Sequence, residues 1–244
     1  MRAHIHYANG VPQSINNYIA MDGFQQMGWE IVPYTDAEPI RHHAPDEVVV
    51  GHIAAVRSSL RALGLSVPSE LGYAEALRPF LGRRLWQSTI NTIAADPSQW
   101  PVFVKPVHDT KKFTGVLVRS LRDLLGCGDQ HEDTPVWCSE PVQFVAEWRC
   151  FVRYGQVLDA RPYKGDWRAC FDPAVVEQAL AAYLPEAPAA FSLDVGRTAG
   201  GKNLVVEVND GHSLGAYGLM PLAYAKFLSA RWAQMTGTED YCNF

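Results

Sequence analysis

An apolar run that carries a carboxylate constrains this chain more than any other feature. Leu204–Val208 reads as a buried strand, yet Glu207 sits inside it and Asn209 follows two residues on. Side chains at i and i+2 point to the same face of a strand, so Glu207 and Asn209 converge on one point. A glutamate is almost never fully buried without a partner. Either the strand lies at an edge with Glu207 in water, or Glu207 serves a polar site around which the fold is built. Asp194, on the strand-like run Ala190–Val195, joins the pair if the two runs form a hairpin around Gly200–Gly201. Three oxygen ligands on paired strands suit Mg²⁺, which takes one or two carboxylates together with substrate phosphates.

The rest of the chain alternates strands and helices. Ala3–Tyr7 reads as a strand, Ser14–Met27 as a helix ending at Gly28, Trp29–Pro33 and Glu47–Val50 as strands, and His52–Leu63 as a helix stopped by Gly64. That order predicts a small α/β unit. Tyr73–Leu81 and Arg83–Ala95 have helical spacing. Val102–Lys105 is a short β-type run stopped by Pro106, His108–Gly115 a polar basic loop, Val116–Val118 a strand and Ser120–Leu125 a short helix. Val136–Ser139, Gln143–Arg153 and Gln156–Tyr163 are strand candidates, the last two joined by a turn at Tyr154–Gly155. Helices are expected over Pro173–Leu184 and Met220–Gln234. At about 150 residues per domain, 244 residues make more than one unit and fewer than three. The class is α/β (α+β), divided at residues 1–80, 81–140 and 141–244.

Composition excludes several classes. The formal charge of -5 argues against a general nucleic-acid binder, which carries a basic surplus. No run approaches the ~18 apolar residues of a spanning helix. The first ten residues, MRAHIHYANG, have no apolar core of a signal peptide. The five cysteines form no C-x-x-C pair and are odd in number, which fits buried free thiols in a reducing, cytoplasmic setting.

Lys105, at the end of VFVK, holds a cation near a strand terminus, where it can bridge phosphate oxygens or simply meet water. The loop with Lys111, Lys112 and Gly115 can cover phosphates, although G-x-x-x-x-G-K-[ST], G-x-G-x-x-G and G-x-S-x-G are all absent. In EWRCFV, Glu147 and Arg149 share one strand face, either as a structural ion pair or as working groups. Arg161, Lys164 and Arg168 can grip a carboxylate-bearing substrate or lie free on the surface. The loop NDGHSLGAYG adds His212 and Ser213, with His212 either a base for an amine or a structural residue. His4 and His6 share a strand face, as a metal pair or as core histidines.

Taken in order, these pieces resemble the ATP-grasp superfamily. The strand Lys105, the basic loop to Gly115, the hinge Ser139–Val142, E-x-R (Glu147, Arg149), Asp194 and E-x-N (Glu207, Asn209) follow its sequence of motifs. In detail, FLGRRLW, VFVKP, KKFTG, EWRCFV and EVNDGHSLGAYG resemble the bacterial and phage clade named for one arginine and two lysines, over about residues 80–225. The resemblance implies an ATP-grasp fold, with residues 1–80 as a pre-ATP-grasp α/β domain, 81–140 as the small lobe and 141–244 as the large lobe. It implies ATP and Mg²⁺ as cofactors. Lys105 then contacts the α- or β-phosphates, Lys111 or Lys112 sits in the phosphate loop, and Arg83 or Arg84 is the extra basic residue. Glu140 and Val142 bind the adenine edge, and Glu147 is a further cofactor-binding residue. Asp194, Glu207 and Asn209 hold metal, and Arg149 holds the transferred phosphoryl group. The activity implied is a ligase that joins a carboxylate to an amine through an acyl phosphate, acting on a small molecule or a peptide. A kinase on the same fold and a non-catalytic nucleotide-binding module are the alternatives. Oligomeric state stays open.

Overall fold

The computed structural model describes residues 1–38, 40, 42–108, 112–128 and 132–244. Three four-stranded sheets follow one another along the chain, each with its own core. In the first, β1 (Arg2–Ala8) is central. The two-residue β2 (Val11–Pro12) folds back on its end. Helix α1 (Ile15–Gln26) follows, its N-terminus capped by the Ser14 hydroxyl, which accepts from the Asn17 N–H. Strands β3 (Glu30–Tyr34) and β4 (Val48–Val50) run parallel to β1 on either side of it. Helix α2 (Ile53–Ala62) completes the unit with His52 as its cap.

The chain then makes a 3₁₀ turn at Glu75–Leu77 and the single-turn α3 (Arg78–Leu81). The expected helix over Tyr73–Leu81 is thus reduced to its end, because Pro79 is tolerated only in a first turn. The helix expected over Arg83–Ala95 is also corrected: Leu85–Thr89 is strand β5, and only Ile90–Ala95 is helical (α4). The reason is long-range. β5 pairs along its whole length with β8 (Pro135–Ser139), and the Thr89 side chain caps α4 by accepting from the Thr92 N–H. The second sheet is completed by β6 (Val102–Pro106) and β7 (Val116–Val118), in the order β5-β8-β6-β7. Lys111 lies outside the described residues.

The third sheet is antiparallel, ordered β10-β9-β11-β12. β9 (Phe144–Arg153) turns into β10 (Gln156–Gly165) through Tyr154 and Gly155, both at positive φ as a tight hairpin requires. Helix α5 (Pro173–Tyr183) packs on one face of β11 (Ala190–Thr198) and β12 (Asn203–Asp210). Helix α6 (Pro221–Thr236) leaves this sheet and returns to the first unit, where Phe227 and Tyr224 share a core with Phe24, Leu60 and Ile5. Its N-terminus crosses α1 so closely that a Cβ at Gly23 would lie 2.1 Å from the Pro221 carbonyl oxygen. Four cysteines are buried free thiols as expected, but Cys170 is exposed, because it lies on the coil between β10 and α5. No helix among the described residues is long and apolar enough to cross a membrane.

One ion pair fastens α6 to the third sheet. Arg231 holds Asp210 at the end of β12 through Nε–Oδ1 (2.7 Å) and Nη2–Oδ2 (2.5 Å), with both side chains under one-tenth exposed. Burial works against the Asp210 carboxylate, yet Arg231 and His212 outweigh it and hold its pKa well below the ordinary value. Arg231→Met strands this charge, and urea unfolding at neutral pH is expected to show a loss of about 3–5 kcal/mol. The sign with pH follows from the depressed pKa. Wild type keeps the contribution above the unfolded value and loses it as pH falls below about 4, whereas the variant has lost that acid-side dependence.

Candidate active site

The third sheet has two unlike faces. Trp148, Cys150 and Val152 of β9 and Leu193 and Val195 of β11 alternate into the apolar core beneath α5. Their neighbours Glu147 and Arg149, Ser192 and Asp194, and Glu207 and Asn209 occupy the other face. The register brings these together: Asp194 lies opposite both Arg149 and Glu207, and Ser192 opposite Asn209. A bulge just beyond Asp194–Glu207 shifts the pairing so that Val195 meets Val205.

Asp194 is fully buried, and Arg149 holds it as a fork, with Nε–Oδ1 at 2.9 Å and Nη2–Oδ2 at 2.7 Å. Tyr217 lies 4.5 Å and Tyr163 5.7 Å from that guanidinium, stacking on it. Burial pushes the Asp194 carboxyl above its ordinary pKa against the pull of Arg149. The Asn209 amide nitrogen donates to Glu207 Oε1 (3.2 Å) and lies 3.5 Å from Asp194 Oδ2. Lys105 reaches from β6, across the gap between two sheets, to Glu207 Oε2 at 3.1 Å, and its ammonium sits 4.3 Å from the centre of the Tyr73 ring. Burial disfavours the Lys105 ammonium, but Tyr73 and Glu207 outweigh it and raise its pKa. Glu207 is likewise penalised by burial and held below its ordinary value by Lys105 and Asn209. Glu147 accepts from the Tyr163 hydroxyl (2.8 Å) and from Lys164 (2.5 Å).

Between the second and third sheets lies a cleft of about 500 Å³. Phe103, Leu117, Val142 and Phe144 supply apolar walls, and Lys105, Glu140, Glu147, Lys164 and Glu207 supply charge. On β6, Phe103 and Lys105 face the cleft while Val102 and Val104 face the core. Gly115 leaves room for the Phe103 ring, which a Cβ would meet at 2.4 Å. A second cavity of about 590 Å³ borders Arg149 on its other side, between Ile15 and Ile19 of α1 and Ser213 and Tyr217.

The expected site residues divide clearly. Lys105, Glu207, Asn209, Asp194 and Arg149 form one continuous network, Glu147 stands beside it on Tyr163 and Lys164, and Glu140, Val142 and Lys164 line the cleft. Arg83 also lines the cleft, but its guanidinium donates to the carbonyls of Leu81, Val205 and Val206, strapping α3 to the open edge of β12 beside the bulge. Arg84 is exposed, with its guanidinium over Trp86. The Glu140 carboxylate is turned back to the Arg84 N–H. Lys112 faces Glu132 at 3.7 Å. Arg161 pairs with Asp159, and Arg168 lies exposed beside Asp166 and Trp167, outside both cavities. His212 is buried with Nδ1 2.7 Å from Asp210, and Ser213 lines the second cavity. Tyr73 was not legible as part of the site, since it is 32 residues from Lys105 in sequence with no strand pattern of its own. The Asp210–Arg231 anchor was equally hidden.

The donor set suits Mg²⁺: two carboxylates, each within 3.5 Å of the Asn209 amide nitrogen, and that amide, all offering hard oxygen once the Asn209 amide is turned. The model of the family described as ATP-grasp domain, R2K clade family 2, matches residues 80–227. No curated protein sequence matches the chain. Among solved structures, D-alanine–D-alanine ligase from Bacillus anthracis complexed with ATP superposes with a TM-score of 0.55 at 17% identity, over 96% of this chain and 95% of that one. D-cycloserine synthetase DcsG gives 0.56 at 16% identity, over 95% and 99%. The macrocyclase MdnC from Microcystis aeruginosa MRC, bound with precursor peptide MdnA, gives 0.51 at 13% identity, over 93% and 99%. These likenesses establish the ATP-grasp fold.

Arg149→Met is expected to leave Asp194 buried without a partner, at a cost of about 3–5 kcal/mol in urea unfolding. A raised folded-state pKa stabilises at low pH and destabilises as pH rises. The deficit therefore grows as pH rises above the ordinary carboxylate range. A pH-independent deficit would assign the loss to packing alone.

Proposed function

Because the chain belongs to family 2 of the R2K clade of ATP-grasp domains, we propose that it is an ATP-dependent carboxylate–amine ligase, releasing ADP and phosphate. The observation that carries this reading is the charge network between the two sheets: Lys105, Glu207, Asn209, Asp194 and Arg149 run cation, carboxylate, amide, carboxylate, cation through one contact after another. Such a network suits a reaction in which an anion must approach a triphosphate. In the same reading, residues 1–80 form the pre-ATP-grasp unit, 81–140 the small lobe and 141–244 the large lobe.

Each residue's part follows from its place. The apolar slot of Phe103, Leu117 and Val142 takes a flat base beside the hinge at Glu140. Lys105 exchanges Glu207 for phosphate oxygens, which offer it more negative charge. Glu207, Asn209 and Asp194 would hold Mg²⁺, which supplies positive charge against the phosphates when bound. Arg149 lines the second cavity and is joined through Asp194 and Asn209 to Glu207 in the 500 Å³ cleft, so in this reading it draws a substrate carboxylate toward the γ-phosphorus. That carboxylate takes the phosphoryl group as the bond to ADP breaks. An amine nitrogen then attacks the acyl carbon, loses its proton and displaces phosphate. The second cavity, with Ile15, Ile19 and Tyr217 on its walls, is assigned to the body of the carboxylate substrate. A small molecule or a peptide end fits that description, and the solved relatives include proteins of both kinds.

ATP turnover in a screen of amino acids and short peptides tests the reading. The expected products are ADP and phosphate in equal amounts. Lys105→Ala and Glu207→Gln are each expected to lower turnover by about 100-fold or more. AMP as product would overturn the acyl-phosphate route, and ADP without phosphate would make the protein a kinase.

A further inference from the structure

A second cluster of ligating side chains lies away from the cleft, at the edge of the first sheet. Three parallel strands end there side by side. His6 is near the end of β1, Asp36 lies two residues beyond β3, and His52 two residues beyond β4. The carboxyl ends of parallel strands are where open α/β sheets gather ligands. Here they gather two imidazoles and a carboxylate whose ligating atoms all lie within 4.8 Å of one another.

The distances suit a shared cation as well as a hydrogen-bonded group. His6 Nε2 and His52 Nε2 each stand 3.2 Å from the same oxygen, Asp36 Oδ1. Ligands about 2.0–2.1 Å from a tetrahedral Zn²⁺ are separated by about 3.3 Å along each edge. His6 is only 1% exposed; its Nδ1 has no hydrogen-bond partner among the described residues, and its Nε2 meets only the Asp36 carboxylate. A buried imidazole left so is rare and calls for an explanation. The scaffold fixes it firmly: its carbonyl accepts from the Gln13 N–H and the Asn17 amide, and Tyr34 packs against its ring. Gly51 is part of the same design. A Cβ there would lie 2.2 Å from the Tyr34 hydroxyl, so the chain can turn from β4 into His52 only without one.

We infer that His6, Asp36 and His52 form a binding site for a divalent transition metal, best suited to Zn²⁺, with three protein ligands and one open position. The site is separate from the oxygen-only cluster of Asp194, Glu207 and Asn209. Two imidazoles select against Mg²⁺ and for Zn²⁺ or Co²⁺. Loading asks for one local change. His52 Nδ1 takes up the ring proton and gives up its 3.2 Å contact with the Ala55 N–H, which keeps the His52 carbonyl at 3.0 Å. Asp36, whose side chain is exposed, is the ligand that closes over the metal.

The test uses the full, untagged chain and Co²⁺ alone, read by its visible absorption and by isothermal titration, with Zn²⁺ as competitor in excess Mg²⁺. One equivalent is expected, without the thiolate charge-transfer bands that binding at Cys170 would give. Asp36→Asn, a change at an exposed side chain that leaves the fold intact by circular dichroism, is expected to weaken binding at least about tenfold, as is His52→Gln. Glu207→Gln is expected to bind as wild type does. Failure of wild type to bind, unchanged binding in both ligand variants, or loss of binding in Glu207→Gln would each overturn the assignment.

Discussion

A carboxylate with no access to water sits in the middle of the third sheet, and its surroundings are arranged around that fact. Asp194 is tolerated because Arg149 meets it with both forks of the guanidinium. Removing either partner alone leaves an uncompensated charge in the interior, which costs far more than the pair is worth. The arginine is then held by two tyrosine rings, and the carboxylate's neighbours Asn209 and Glu207 carry the chain of contacts to Lys105 on another sheet. A purely structural sheet face would be apolar or solvated. This one is charged, with Glu147, Arg149 and Asp194 buried and Glu207 half-buried, an arrangement that suits chemistry.

The first unit is tied to this site from two directions. Helix α6 leaves the site loop, packs into the first unit's core and is pinned back to β12 by Arg231 and Asp210. The approach of α1 to α6 at Gly23 sets Ile15 and Ile19 against the cavity beside Arg149. The wall of that cavity is thus built from residues 200 positions apart, and small changes in either helix are felt next to Arg149.

Much of this was legible in the residues themselves. An E-x-N spacing in an apolar strand and an E-x-R spacing in another place four groups on one face by the two-residue period alone, and the sheet does bring those groups together. The ATP-grasp resemblance rested on the same residues, and the family match covers them. Other features depend on partners far away in sequence. Leu85–Thr89 has helical spacing, but pairing with Pro135–Ser139 makes it a strand. Arg83 looks free in FLGRRLW, yet the bulge on β12 leaves carbonyls that it satisfies. Tyr73 joins Lys105 only because β6 and the turn before α3 meet in space.

In the proposed reaction, one cation–anion network between the second and third sheets opens to receive nucleotide and metal. A crystal structure of the chain with Mg²⁺ and a non-hydrolysable ATP analogue tests it most directly. Phosphate oxygens are expected at Lys105 in place of Glu207, with Glu207 and Asn209 turned to the metal. Nucleotide bound elsewhere, with the Lys105–Glu207 and Arg149–Asp194 pairs both intact, would contradict it.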